Sequence, residues 1–210
     1  MQSIIISGVH GVGKTTISKS LYNFLKLQGF EVRLYSNDNY GIYRKSDTFS
    51  NQIDRLYFGQ KKIKEAIQES PQIAIFDRDL IDNIIYSRCF NRFNTINQYK
   101  YITNEQLLSL VRIYQMILER QIRLQSTIFF LNPPIERILE NIKERNSENG
   151  SKRENGTILK DPMFIQCLKS LFEDHYQYYI ESPIFELNEY NDTDIITILK
   201  ENDVIQLKLD

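Results

Sequence analysis

The 210-residue chain has no tryptophan, two cysteines, two histidines, five prolines and eight glycines, and its formal charge is only −1. Each scarcity excludes something. Cys89 and Cys167 stand far apart in sequence without ligand-like spacing, and His10 and His175 add too few donors for a structural zinc site. Two separated thiols make no disulfide framework, which fits a reducing, cytoplasmic setting. A charge near zero removes the global electrostatic case for binding nucleic acid or an acidic membrane. No apolar run reaches membrane-spanning length, and no basic leader precedes the first apolar stretch, Ser3-Ile4-Ile5-Ile6-Ser7. Without internal repeats or a Pro/Ser-rich linker, residues 1–210 are expected to form a single domain.

What is present is a rhythm. The chain is 41% hydrophobic, enough for a substantial core. Short apolar runs at 4–7, 32–35, 72–76, 127–131 and 184–187 predict strands. Longer stretches with helical spacing separate them, at 51–69, 82–91, 104–125, 135–145, 162–180 and 192–201. Strands alternating with helices predict an α/β fold, a three-layer sandwich with a central parallel five-stranded sheet flanked by helices. In the first helix Ile17, Leu21, Phe24, Leu25 and Leu27 share a broad apolar face, and Gly29 is placed to end it. Residues 203–209 alternate well enough to suggest a late strand. One segment, 146–156, is polar, glycine-containing and rich in both charge signs, and is expected to be a flexible lid rather than a packed element.

Between the first strand and the first helix lies Gly8-Val9-His10-Gly11-Val12-Gly13-Lys14-Thr15, matching G-x-x-x-x-G-K-[ST] at every defined position. The spacing has a physical reason. Glycines let the backbone wrap closely around phosphates, and the helix that follows adds the positive end of its dipole. Gly8, His10, Gly11, Val12, Gly13, Lys14, Thr15 and Thr16 are therefore candidates to hold ATP, with Lys14 at the β- and γ-phosphates and Thr15 on Mg²⁺. His10 occupies a variable position, either facing solvent in the turn or touching the acceptor. A P-loop alone says only that a nucleotide binds. The strand Ile73-Ala74-Ile75-Phe76-Asp77 ends in a carboxylate suited to Mg²⁺, and Arg78 follows it. A motor-type ATPase would place Glu there, and a GTPase would need Asn-Lys-x-Asp where Leu131-Asn132-Pro133-Pro134 stands.

The stretch Phe76-Asp77-Arg78-Asp79-Leu80-Ile81-Asp82-Asn83-Ile84-Ile85-Tyr86 resembles the Asp-Arg-[Tyr/His]-x-x-Ser-x-x-Ala-Tyr segment of thymidylate kinases and allied deoxynucleoside kinases. The resemblance implies that Arg78 touches the transferring or acceptor phosphate. Asp79 and Asp82 depart from the pattern, in the aromatic and serine places. Ile53-Asp54-Arg55 is similar to an upstream triplet of thymidylate kinases, which implies an acceptor contact for Arg55. Arg145, Lys152 and Arg153 stand where the family's lid brings cations over the phosphates. Tyr40, Tyr43 and Tyr86 are candidate stacking partners for a base, or simply packing residues. A further departure lies after the second strand, where the family has Glu-Pro or Arg-Glu-Pro and this chain has Asn37-Asp38-Asn39-Tyr40. Asp38 suits a general base for a hydroxyl acceptor, a group a phosphate acceptor does not need.

The resemblance implies an ATP- and Mg²⁺-dependent kinase for a small nucleotide or nucleoside, with thymidylate the first expectation. A deoxynucleoside kinase using Asp38 as base is the alternative. A polynucleotide 5′-hydroxyl kinase, another small-molecule kinase, or a nucleotide-dependent binding module stand behind these. The near-zero charge argues against long nucleic-acid substrates. Relatives are often homodimers, so a homodimer is compatible with the resemblance, though no interface is legible.

Overall fold

The computed structural model describes residues 1–36, 48–94, 101–119, 126–148, 158–178 and 182–202. Its elements run β1 (Gln2–Gly8), α1 (Lys14–Leu27), β2 (Val32–Tyr35), α2 (Thr48–Glu69), β3 (Ile73–Asp77), α3 (Leu80–Asn94) and α4 (Asn104–Glu119). Then come β4 (Ser126–Leu131), α5 (Ile135–Glu148), a 3-10 turn (Ile158–Lys160), α6 (Pro162–Gln177), β5 (Ile184–Leu187) and α7 (Asp192–Glu201). The sheet is entirely parallel, in the order β2-β3-β1-β4-β5. This is the predicted five-stranded α/β sandwich, and β1 lies at its centre between β3 and β4.

The central strands are continuous apolar runs because helices cover both faces of a parallel sheet. All five residues of β3 are buried, as are Thr127–Leu131 of β4. Phe129, Phe130, Phe164 and Phe172 are among the largest fully buried side chains, and Phe130 stacks 6.1 Å from Phe172 of α6. Helix α3 packs against α2, α4 and α6, which explains why ten of its fifteen residues are buried. Cys89 and Cys167, distant in sequence, meet where α3 and α6 pack. Burial first, and then Cys167 beside it, pushes the Cys89 thiol up.

Helix α1 ends on Gly29 as expected. Gly29 has φ 82°, its N–H donates to the Lys26 carbonyl, and the Phe30 N–H donates to Leu25. These two bonds satisfy the carbonyls a helix end leaves open. Two expectations need correction. Leu27 is 84% exposed, because it falls at the margin of the apolar stripe in the last turn. Helix α5 continues to Glu148, three residues into the segment expected as lid, because nothing before Gly150 breaks a helix. The remainder of that segment lies outside the described residues, as does the late strand expected at 203–209. Among the described residues no helix is long and apolar enough to cross a membrane.

The topology selects the place for a site. From β1 the chain builds β2 and β3 on one side and β4 and β5 on the other. The crevice opens where that order reverses, at the carboxyl end of β1, and there the glycine loop sits.

Candidate active site

The loop's three glycines, Gly8, Gly11 and Gly13, all have positive φ, of 138°, 88° and 85°. Gly8 has a second requirement. A Cβ there would lie 2.5 Å from the Leu131 carbonyl oxygen, so β1 and β4 approach too closely at the loop's root for any side chain. Gly13 caps α1 without a side-chain hydrogen bond, and the first turn of α1 carries no acidic residue. The helix thus begins with N–H groups and a positive dipole end that no side chain of its own neutralises, an arrangement suited to an anion. Outer supports hold the loop in shape: Asn141 of α5 donates to the Gly11 carbonyl at 2.9 Å, and the Tyr190 hydroxyl donates to Val12.

Lys14 is buried, and its ammonium donates to the Gly8 and Val9 carbonyls at 2.7 and 2.6 Å. The Thr15 hydroxyl donates to Asp77 Oδ2 at 2.6 Å, joining the start of α1 to the end of β3. A hydroxyl and a carboxylate so paired are hard oxygen donors, and they fit a Mg²⁺ ion that keeps several waters and takes phosphate oxygens. Thr16 follows, exposed, in the same first turn.

The turn from β3 into α3 is under strain. Arg78 has φ 103°, an uncommon conformation for a side chain with a Cβ, and its N–H donates to the Ile6 carbonyl at 3.0 Å. That conformation brings the guanidinium within 5.7 Å of the Tyr86 ring centre. Burial works against the charge, but Tyr86, Asp77 and Asp82 outweigh it and hold Arg78 firmly protonated. Asp79, one of the departures noted from sequence, accepts from the Ile81 N–H at 3.4 Å and caps α3. Burial raises its pKa, against the backbone N–H groups of Ile81 and Leu80.

Tyr86 joins this turn to the glycine loop. Its hydroxyl accepts the His10 N–H at 2.8 Å and lies 3.1 Å from His10 Nδ1, while its ring meets the edge of Phe172. His10 Nε2 lies 2.6 Å from the Leu159 carbonyl. Since a carbonyl only accepts, Nε2 carries the proton, and in the neutral ring Nδ1 accepts from Tyr86. His10 therefore clasps the turn that follows the expected lid. Arg55 of α2 approaches closely enough to oppose the upward shift that burial gives the Tyr86 phenol. Lys14, Thr15, Asp77, Arg78, Tyr86, His10 and Arg55 are thus gathered at one end of the sheet. Arg145 belongs to the last turn of α5. Asp38, Tyr40, Tyr43, Lys152 and Arg153 lie outside the described residues.

Two polar residues were not read as site residues from the sequence: Gln52, which no motif covers, and Asp82, noted only as a departure in the serine place. Gln52, one turn before Arg55, is 3% exposed, and its Oε1 has no hydrogen-bond partner among the described residues. Asp82 is 1% exposed on α3. Their signal in the sequence was position, because each is polar on the packed side of a helix, between residues such as Ile81 and Ile85 in the case of Asp82.

The model of the deoxynucleoside kinase family matches residues 4–208. A search of curated protein sequences returned no match. Among solved structures, deoxyadenosine kinase from M. mycoides with the products dCMP and a flexible dCDP bound is 22% identical, with TM-score 0.69, covering 97% of this chain and 100% of that one. The same kinase with bound dCTP is 18% identical, with TM-score 0.65 and coverage of 97% and 100%. With bound dATP the figures are 20%, 0.66, and coverage of 95% and 98%. These likenesses carry the fold. With the family match spanning nearly its whole length, the chain is a phosphotransferase and belongs to the deoxynucleoside kinase family.

Proposed function

We propose that this protein transfers the γ-phosphoryl group of ATP to the 5′-hydroxyl of a deoxynucleoside, with Asp38 as the base. The observation that carries the proposal is the family match over residues 4–208. The chemistry around Arg78 supports it. Asp77, Asp79 and Asp82 crowd that turn, and a dianionic monophosphate would enter against them, whereas a neutral nucleoside meets no such repulsion. The expectation of thymidylate rested on the spacing of Arg55 and Arg78, which a nucleoside kinase uses equally well for the phosphate in transit.

In the transfer, the β–γ phosphoric anhydride bond breaks and a bond forms from the acceptor O5′ to the γ-phosphorus. ADP leaves, and the hydroxyl proton passes to the Asp38 carboxylate. The loop N–H groups and Lys14 hold the donor phosphates, and Thr15 and Asp77 would hold Mg²⁺, which when bound neutralises charge on the β- and γ-oxygens. Arg78 stabilises the phosphoryl group as it moves, and lid cations from Arg145 and Arg153 close over it. Gln52 offers an amide to the edge of the base, since a buried amide oxygen left unpaired is costly unless a ligand completes it. The neighbours' bound dCMP, dCTP and dATP suggest acceptors with either a pyrimidine or a purine base. Removing water from this crevice strengthens each of these contacts.

The test is steady-state kinetics with deoxyadenosine, deoxycytidine, thymidine and thymidylate on wild type and Asp38→Asn. Wild type is expected to phosphorylate a nucleoside, and the variant to lose about 10²–10⁴-fold in turnover while still binding ATP. Phosphorylation of thymidylate but of no nucleoside, with turnover unaffected by Asp38→Asn, would return the acceptor to a monophosphate.

A further inference from the structure

Asp82 presents a problem in stability that function can resolve. Its carboxylate is 1% exposed at the start of α3. Oδ1 accepts one hydrogen bond, from the Ser7 hydroxyl at 2.6 Å, and Ser7 in turn accepts from the Tyr176 hydroxyl of α6 at 2.8 Å. Oδ2 is buried with no hydrogen-bond partner among the described residues. A buried carboxylate that is half satisfied destabilises a fold, and a serine or asparagine in its place would cost less. Ser7 is the last residue before Gly8, so the carboxylate lies directly beneath the root of the phosphate loop. The charged groups around it are Lys14 from α1 and Arg78 and Asp79 from the β3–α3 turn. Lys14 belongs to the donor side of the crevice and Arg78 to the acceptor side.

We propose that Asp82 is a positioning residue for phosphoryl transfer, a buried carboxylate between the two halves of the crevice that orients the Lys14 ammonium and the Arg78 guanidinium, with Oδ2 placed to receive an N–H from one of them. Asp82 does not touch substrate, and it acts through these two cations. Its one hydrogen bond fixes the carboxylate against β1, so the anion moves with the loop rather than with solvent. The serine found at this place in the related pattern keeps a hydroxyl but gives up the charge.

Burial, and then Asp79, push the Asp82 carboxyl up to about 7, against the pull of Lys14, Ser7 and Arg78. The sign of the consequence follows from linkage. An unfolded aspartate loses its proton near pH 4. The folded chain holds that proton more tightly, so the stability it contributes is full below about pH 4 and is lost as pH rises through about 7. A group that penalises the fold at neutral pH is one whose replacement should separate stability from activity.

This inference rests on the donor-cradle roles given above, and Lys14→Ala tests those separately. An active Lys14→Ala sinks the cradle itself. An inactive Lys14→Ala beside a normal Asp82→Asn sinks only the present proposal. Asp82→Asn keeps the shape and the bond from Ser7 but removes the charge. It is expected to lower kcat about tenfold to a hundredfold, the scale on which misplacing a reacting group acts. KM for ATP should stay level or fall, because two cations lose a competing anion. The variant should also melt above wild type at pH 8, with the gap closing towards pH 5. A kcat within about twofold of wild type, or a melting point below wild type at pH 8, overturns the proposal. Ser7→Ala removes the carboxylate's anchor without its charge and decides the matter should the asparagine chain fail to fold. It is expected to lower kcat several-fold, and an unchanged kcat counts against the proposal.

Discussion

The donor and acceptor sides of this crevice are built on different plans. The donor side is local: Gly8 through Thr15, with Asp77 alone contributed by another strand. In the proposed reading the acceptor side draws on Gln52 and Arg55 of α2, Arg78 in the β3–α3 turn and Tyr86 of α3. The difference follows from what each side must recognise. A triphosphate is the same in every donor, and backbone N–H groups at a helix start can hold it, so its cradle has one spacing. A deoxynucleoside is recognised by side chains, which different elements can supply from many positions. The donor side is therefore constrained by backbone geometry, and the acceptor side by chemistry alone.

The largest effect should come from the donor side and be blind to the acceptor. Lys14→Ala is expected to lower kcat about 10³-fold or more with every nucleoside tried, because the charge on the phosphates develops in all of them. Turnover assays across the acceptor panel check this, and a loss confined to one nucleoside would break the division. Next comes Gly8→Ala. With φ at 138° and the Leu131 oxygen 2.5 Å from the new Cβ, both backbone and neighbour must shift. A cost of about 3 kcal/mol or more is expected in urea unfolding, together with weakened ATP binding. Acceptor-side effects should be smaller and selective. Gln52→Ala is expected to lower kcat/KM about 10–100-fold for the preferred base, less for others, and to leave KM for ATP alone.

The same division explains what the sequence disclosed. Strands at 4–7, 72–76 and 127–131 were legible because a strand buried on both faces has to be continuously apolar. The cradle was legible for the backbone reason given above. Asp79 was noticed as a departure but not as a helix cap, because only the fold reveals that α3 starts at Leu80. The burial of Gln52 and Asp82 was obscure for a different reason: it depends on which helices pack on α2 and α3, among them α4 and, on α3, α6, far along the chain. His10 gained its partner from Leu159, 149 residues away, a pairing no local pattern encodes. The end of α5 was less legible, since composition before Gly150 permits several stopping points.

The smallest predicted effect serves as the control for the glycine comparison. Gly29 shares the positive φ of the loop glycines, at 82°, but a Cβ built there meets nothing within 4 Å among the described residues. Its substitution by alanine therefore carries only the conformational cost of a left-handed residue, about 1 kcal/mol. The capping bonds from Gly29 and Phe30 to Lys26 and Leu25 are made by backbone and survive the change. For a chain of this length that cost corresponds to a fall in melting temperature of about 2–4 °C. Since Gly29 sits at the far end of α1 from Lys14, the rise in melting temperature on adding ATP should match that of wild type, as should kcat. A loss as large as that of Gly8→Ala would mean that φ alone governs both positions, and that the close approach of β1 to β4 at the cradle's root adds nothing. A small loss in Gly29→Ala beside a large one in Gly8→Ala would assign the excess to that approach, and so to the geometry that lets backbone alone hold a phosphate.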